Sequence, residues 1–225
     1  MKTFKHGGGG GDMLYGLSTM KVLGGGELYL RIDIVKKFYK TLLESQSYIE
    51  SLVYSSNPPN VDYDLDLFRQ QHFNEFTLIE CHAKAFNLKF DFTLPWLQVD
   101  SKPISEIVIN DTGRLRWGGC TIDWSQLNKY KEKCVFIGLK HEYENFIRDR
   151  MYVDFYEIKD CLEFAQIIKG SKLYVGNQST GLALAEGLKV NRIADLYEGR
   201  SKQYPYGENG HYKLSTDLIE KYLFS

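Results

Sequence analysis

No run of apolar residues in this chain is long enough to span a bilayer, and the N-terminal MKTFKHGGGG lacks a signal peptide's apolar core. Nor is there an excess of either charge. Lys plus Arg number 28 and Asp plus Glu 29, for a formal net charge of -1. The chain as a whole therefore carries no basic footprint for nucleic acid or an anionic membrane. The four cysteines, Cys81, Cys120, Cys134 and Cys161, are scattered without the paired spacing of zinc or redox sites. A reduced, cytoplasmic protein is the simplest reading. The glycine run Gly7 to Gly11 is not a P-loop, because no Lys-Ser/Thr follows it. It is no dinucleotide fingerprint either: a glycine run matches any spaced-glycine pattern, and Glu27 comes early for a ribose carboxylate. Asp64-Leu65-Asp66 has the spacing of a metal-binding pair. It lies in the alternating YDLDLF, which points to a strand and a structural role.

What the chain does have is a repeated pattern of strand, loop and helix. At 225 residues it accommodates one large domain or two small ones. Strands are predicted at Thr3 to His6, Glu27 to Ile32, Ile49 to Tyr54 and Val61 to Phe68. Met13, Leu14, Leu17 and Met20 mark a first helix, Val35, Phe38, Leu42 and Leu43 a second, and Asn74 to Ala85 a third. The stretch Asp91 to Pro103, with its two prolines, looks like a crossover. A second series follows, with strands at Glu106 to Ile109, Cys134 to Gly138, Tyr152 to Tyr156, Lys172 to Val175 and Arg192 to Leu196. Its helices are expected near Trp124 to Tyr130, Glu142 to Arg150, Asp160 to Ile168 and Ser179 to Leu188, and Leu218, Ile219, Tyr222 and Leu223 close the chain. Alternation of this kind implies mostly parallel sheets, here α/β with two doubly wound, Rossmann-like domains, 1–103 and 104–225, facing a cleft. The last helix has the option of packing back on the first domain.

The segment KLYVGNQSTGLALAEGL, Lys172 to Leu188, is the most informative. An apolar strand stops at Gly176, turns through Asn177, Gln178, Ser179, Thr180 and Gly181, and enters a helix. The unpaired first-turn amides of such a helix carry partial positive charge at a strand's carboxyl edge, a natural seat for phosphate. Glu186 shares a helix face with Ser179 and could accept hydrogen bonds from a ribose; the plain alternative is a solvated glutamate after an ordinary cap. Arg114 and Arg116 follow the strand ending at Ile109 and suit a diphosphate. Gly138 would let a nucleobase lie close to its strand edge. Across the cleft, His6, Gly10 and Gly11 border Asp12, a lone carboxylate at a helix start that is either a cap or a general base.

These segments resemble the GT-B glycosyltransferases, nearest to the family nine, heptosyltransferase-like group of bacteria and their phages. The resemblance covers nearly the whole chain. Gly11-Asp12 before MLYGLSTMKVL is similar to that group's Gly-Asp pair and first helix. VINDTGRLR is similar to its first C-domain strand and basic phosphate-binding residue, and CVFIGLKHEYENF to a later strand-loop-helix unit. Asn177-Gln178-Ser179 with Glu186 is similar to its donor-binding turn and helix. Gln178, Ser179 and Ala183 stand where heptosyltransferases usually carry Asp-x-Gly and a His, so the resemblance extends to the fold and not to a heptose donor. It implies an inverting, metal-independent transferase with no cofactor beyond its nucleoside-diphosphate sugar, acting on a glycan-type hydroxyl. Asp12 would be the base, with Arg114, Arg116 and the amides of Gln178 to Thr180 stabilising the leaving diphosphate. Transfer to hydroxymethylated DNA bases is an alternative that the near-zero charge opposes. A non-catalytic nucleotide-sugar-binding module is another, which Asp12 opposes.

Overall fold

The computed structural model describes residues 1–7, 9–31, 37–71, 75–113, 122–196 and 203–224. Its first half runs β1 (Thr3–His6), α1 (Gly10–Val22), β2 (Gly26–Leu30), α2 (Lys40–Glu44), β3 (Ile49–Tyr54) and β4 (Tyr63–Asp64). A 3-10 turn (Leu65–Gln70) and α3 (Leu78–Ala85) complete it. The second half runs β5 (Ile107–Asn110), a 3-10 segment (Trp124–Lys133), β6 (Cys134–Gly138), α4 (Lys140–Asp149), β7 (Asp154–Glu157) and α5 (Cys161–Gly170). It continues through β8 (Leu173–Asn177), α6 (Thr180–Leu188), β9 (Arg192–Asp195), β10 (Gly210–His211) and α7 (Thr216–Leu223). Two parallel sheets result, ordered β3-β2-β1-β4 and β10-β9-β8-β5-β6-β7. The doubly wound α/β expectation is met.

The second sheet follows directly from composition. β5, β6, β8 and β9 are buried along their whole length, as strands covered on both faces should be. One face packs on Trp124, Leu127, Phe146, Ile219 and Leu223. The closing helix α7 thus lies on the second sheet, tied there by Lys129 and Tyr130 donating to Glu220. The other face joins a core that crosses the halves, uniting Phe4, Leu14 and Leu17 with Val108, Phe164, Ala183 and Leu184. Helices α1 and α6 pack on each other. The 91–103 crossover is pinned between them: the Trp96 indole donates to the Leu14 carbonyl at 2.8 Å, and the Trp96 and Leu97 amides share the Gly187 carbonyl at 3.0 Å.

Several sequence expectations are corrected. The strand placed at Val61 to Phe68 is extended only at Tyr63–Asp64, because the Asp64 side chain accepts from the Asp66 amide and starts a 3-10 turn instead. The helix placed from Asn74 begins at Leu78, where Thr77 and Glu80 form a capping box. The second helix covers Lys40–Glu44; Val35 lies outside the described residues. The segment at Trp124 is 3-10 and kinks at Tyr130 rather than forming an α-helix. The short strand β10 had no counterpart in the sequence reading.

Candidate functional site

At the carboxyl edge of the second sheet, side chains from adjacent strands lock the turn that leads into α6. Asn177, 2% exposed, donates to Asp111 Oδ1 at 2.8 Å and to the Thr112 carbonyl at 2.7 Å, and accepts from the Thr112 amide at 3.1 Å. It is therefore a strut within the protein. Ser179 sits at the cap position of α6 in extended geometry without accepting a cap hydrogen bond from the helix, and its hydroxyl donates to Asn110 Oδ1 at 2.9 Å. Asn110 in turn donates to the Ile137 carbonyl at 2.9 Å, joining the ends of β5 and β6. The buried Gln178 amide nitrogen has no hydrogen-bond partner among the described residues.

Gly138 ends β6 at φ 151°, in the left-handed region. A Cβ there would lie 2.9 Å from Asn110 Nδ2 and 3.0 Å from Glu142 Oε2, so glycine is required by backbone and by crowding alike. Gly138, Asn110, Thr112 and Thr180 line a cavity of about 250 Å³ that is apolar at Leu139, Ile158 and Phe164. Phe38 and Tyr39 of the first half close it. The Tyr39 phenol meets Thr180 Oγ1 at 2.8 Å, and burial pushes the phenol up to about 12 against the hydrogen bond's opposing effect. Gly10, in the first turn of α1, makes that contact possible: a Cβ there would lie 1.8 Å from the Tyr39 oxygen. The N-termini of α1 and α6 therefore converge on one tyrosine.

Asp12 lies in that same first turn of α1. It is not the cap, which is Gly9, and α1 has no side-chain cap hydrogen bond. Its carboxylate is instead about one-third exposed and takes Arg69 at 2.8 Å. Gly11 faces open space. His6, 2% exposed, stacks with Phe68 and His82 beneath the loop, and burial lowers its pKa against the opposing charge of Asp66. Both carboxylates of the Asp-x-Asp pair have protein partners. Asp64 pairs with Lys5 at 3.0 Å, and Asp66 Oδ2 accepts from the Gly7 amide at 2.7 Å.

Two expectations change. Glu186 is 1% exposed, and its oxygens are held by Arg192, Lys189 and the Tyr206 amide. The carboxylate is the centre of a buried ion cluster, neither a ribose ligand nor a solvated residue, because Arg192 and Lys189 capture it from beyond the helix end. Arg114 and Arg116 lie outside the described residues, in the stretch following Gly113. Sequence reasoning missed Asn110, Tyr39 and Arg69. Asn110 had a signal, a polar residue ending an apolar strand. The pairs Tyr39–Thr180 and Arg69–Asp12, separated by 141 and 57 positions, had none. A larger depression of about 670 Å³ along α3, lined by Phe76, Lys84, Phe90 and Phe92 among others, touches neither helix N-terminus.

No protein-family profile matches the sequence, and no curated protein sequence matches it. Solved structures do match. A family 9 glycosyl transferase from Veillonella parvula aligns over 99% of this chain and 89% of its own, with a TM-score of 0.65 at 11% identity. Escherichia coli ADP-heptose lipopolysaccharide heptosyltransferase II aligns over 99% and 97%, with a TM-score of 0.65 at 13% identity. The E. coli heptosyltransferase WaaC, solved with ADP-2-deoxy-2-fluoro heptose, aligns over 98% of each chain, with a TM-score of 0.60 at 12% identity. At such identities the likeness is one of fold, and this protein has the GT-B fold of the family 9 glycosyltransferases.

Proposed function

We propose that the protein is an inverting, metal-independent glycosyltransferase that moves a sugar from a nucleoside-diphosphate sugar to a glycan-type hydroxyl acceptor. The observation that carries this reading is the meeting of α1 and α6 through Tyr39, at the carboxyl edges of two parallel sheets and beside a cavity of about 250 Å³. Ligands of open α/β sheets bind at such edges. Residues 1–103 would form the acceptor side and 104–225 the donor side. The shared fold supports the reading, as does the nucleotide sugar that WaaC holds.

The chemistry follows from charge. As the acceptor oxygen attacks the anomeric carbon, its proton passes to Asp12. The bond from that carbon to the diphosphate breaks, and the diphosphate leaves with the electron pair. The first-turn amides of α6, the Thr180 hydroxyl and the unpaired Gln178 amide would meet the growing charge. Arg114 and Arg116 would supply the cations, as guanidiniums suited to phosphate. Asp64 and Asp66, committed to Lys5 and Gly7, leave that charge to the arginines. The glycan acceptor remains the preferred class over DNA because the chain carries a net charge of -1.

The test is release of nucleoside diphosphate from ADP-, GDP- and UDP-linked sugars, with and without candidate hydroxyl acceptors, in EDTA. Acceptor-dependent release and a product of inverted anomeric configuration are expected. Activity abolished by EDTA and restored by magnesium or manganese would overturn the metal-independent mechanism, and retention of configuration would overturn the direct displacement.

A further inference from the structure

We infer that Arg69 is the positioning residue of Asp12, with Asp66 close to Arg69 and bonded to the Gly7 amide; this rests on reading Asp12 as the base. The four groups form one relay. Asp66 Oδ2 accepts from the Gly7 amide at 2.7 Å, at the start of the loop that leads to α1. Asp66 Oδ1 lies 3.7 Å from Arg69 Nε, and the other end of the same guanidinium reaches Asp12 Oδ2 at 2.8 Å. The Arg69 guanidinium also sits 4.7 Å from the Phe68 ring centroid, which restrains its plane.

The arrangement is not explained by stability. Arg69 is 48% and Asp12 32% exposed, and ion pairs at such exposure contribute little to folding. It does suit a base. A guanidinium hydrogen-bonded to one oxygen sets the carboxylate's direction. Arg69 engages one oxygen, Oδ2, which leaves Oδ1 for an acceptor hydroxyl.

The other titratable groups around the pair are few. His6 on β1 and His82 on α3 are both lowered by burial, so neither supplies a competing charge near neutral pH. Tyr15, one turn further along α1, is raised well above its ordinary value by burial and stays neutral. Asp64 and Asp66 are the remaining acids, and Lys5 neutralises the first. Arg69 is therefore the cation that acts on Asp12 most directly among the described residues.

The experiment compares kcat and KM for the nucleotide sugar that the wild type accepts in wild type, Arg69→Gln, Arg69→Lys and Asp12→Asn. It is paired with the thermal shift that the nucleoside diphosphate produces in each. In Arg69→Gln kcat should fall about tenfold or more, with the donor KM little changed. The thermal shift produced by the nucleoside diphosphate should stay unchanged, and Arg69→Lys should fall between. An unchanged kcat in a folded Arg69→Gln protein would overturn the inference even where Asp12→Asn is inactive. Near-normal turnover in Asp12→Asn would instead overturn the base assignment beneath it. Should Arg69→Gln fail to fold, Arg69→Lys carries the same comparison, since it keeps charge and loses the fork.

Discussion

Replacing Glu186 with alanine separates the role its spacing suggested from the role the structure assigns. Arg192 is 0% exposed and Glu186 1%, with Lys189 at 9% on the second oxygen. Removing the carboxylate leaves a guanidinium without its counter-charge in the core between α6 and β9, and strips the Tyr206 amide of its acceptor. Breaking one partner from a buried pair costs about 3–5 kcal/mol. For a chain of this length that is a fall in Tm of about 6–20 °C. A ribose ligand would behave differently, with little loss of stability and a loss of about 1.5–3 kcal/mol in nucleotide affinity. Urea unfolding followed by circular dichroism, beside calorimetry with a nucleoside diphosphate at low temperature, reads both quantities. Because paired apolar replacements avoid the stranded charge, the double variant Glu186→Leu, Arg192→Met should lose less stability than Glu186→Ala alone. A stability change below about 1 kcal/mol, together with lost nucleotide affinity, would refute the buried-cluster account.

Three further outcomes are expected. Asp12→Asn should leave nucleoside-diphosphate affinity nearly intact while lowering turnover about a hundredfold or more, measured by release of the diphosphate at saturating donor. Burial holds the Lys189 ammonium near pH 8, below its ordinary value, against the pull of Glu186. The unfolded chain therefore binds more protons between about pH 8 and 10.5, and stability rises with pH across that window. The difference in unfolding free energy between wild type and Lys189→Met should accordingly change by about 2–3 kcal/mol there, and a flat difference would contradict it. Gly10→Ala should cost about 1–3 kcal/mol by driving a Cβ into the Tyr39 phenol, and most of that loss should vanish in a Tyr39→Ala background.

Much of the second half was legible because its central strands β5, β6 and β8 are short apolar runs that end at glycine or asparagine. Cys134–Gly138 was placed residue for residue on that signal. The first half was harder. At YDLDLF the alternation was real, but the local bond from Asp66 to Asp64 outweighed it, an energy that a two-residue period does not register. The turn into α6 was found from its glycine and hydroxyl residues, yet its internal struts were not, since Asn177 and Ser179 meet residues more than sixty positions away. Glu186 illustrates the limit most clearly. Helical spacing put it on the face of Ser179, but Lys189 and Arg192 wait three and six positions on, and only the reversal of the chain at Lys189, in left-handed geometry, turns them back onto it. Tyr39 and Arg69 act through contacts across the fold and left no pattern to read.

The claim that the donor diphosphate sits at the N-terminus of α6 is tested most directly by amide NMR with ADP, GDP and UDP added in turn. The largest shifts are expected at Gln178, Ser179, Thr180 and Gly181, with Gly138 beside them, and Asp12→Asn should give the same pattern. Saturable binding that moves these amides little and instead moves Lys84, Asn87 and Lys89, along the depression on α3, would contradict the account.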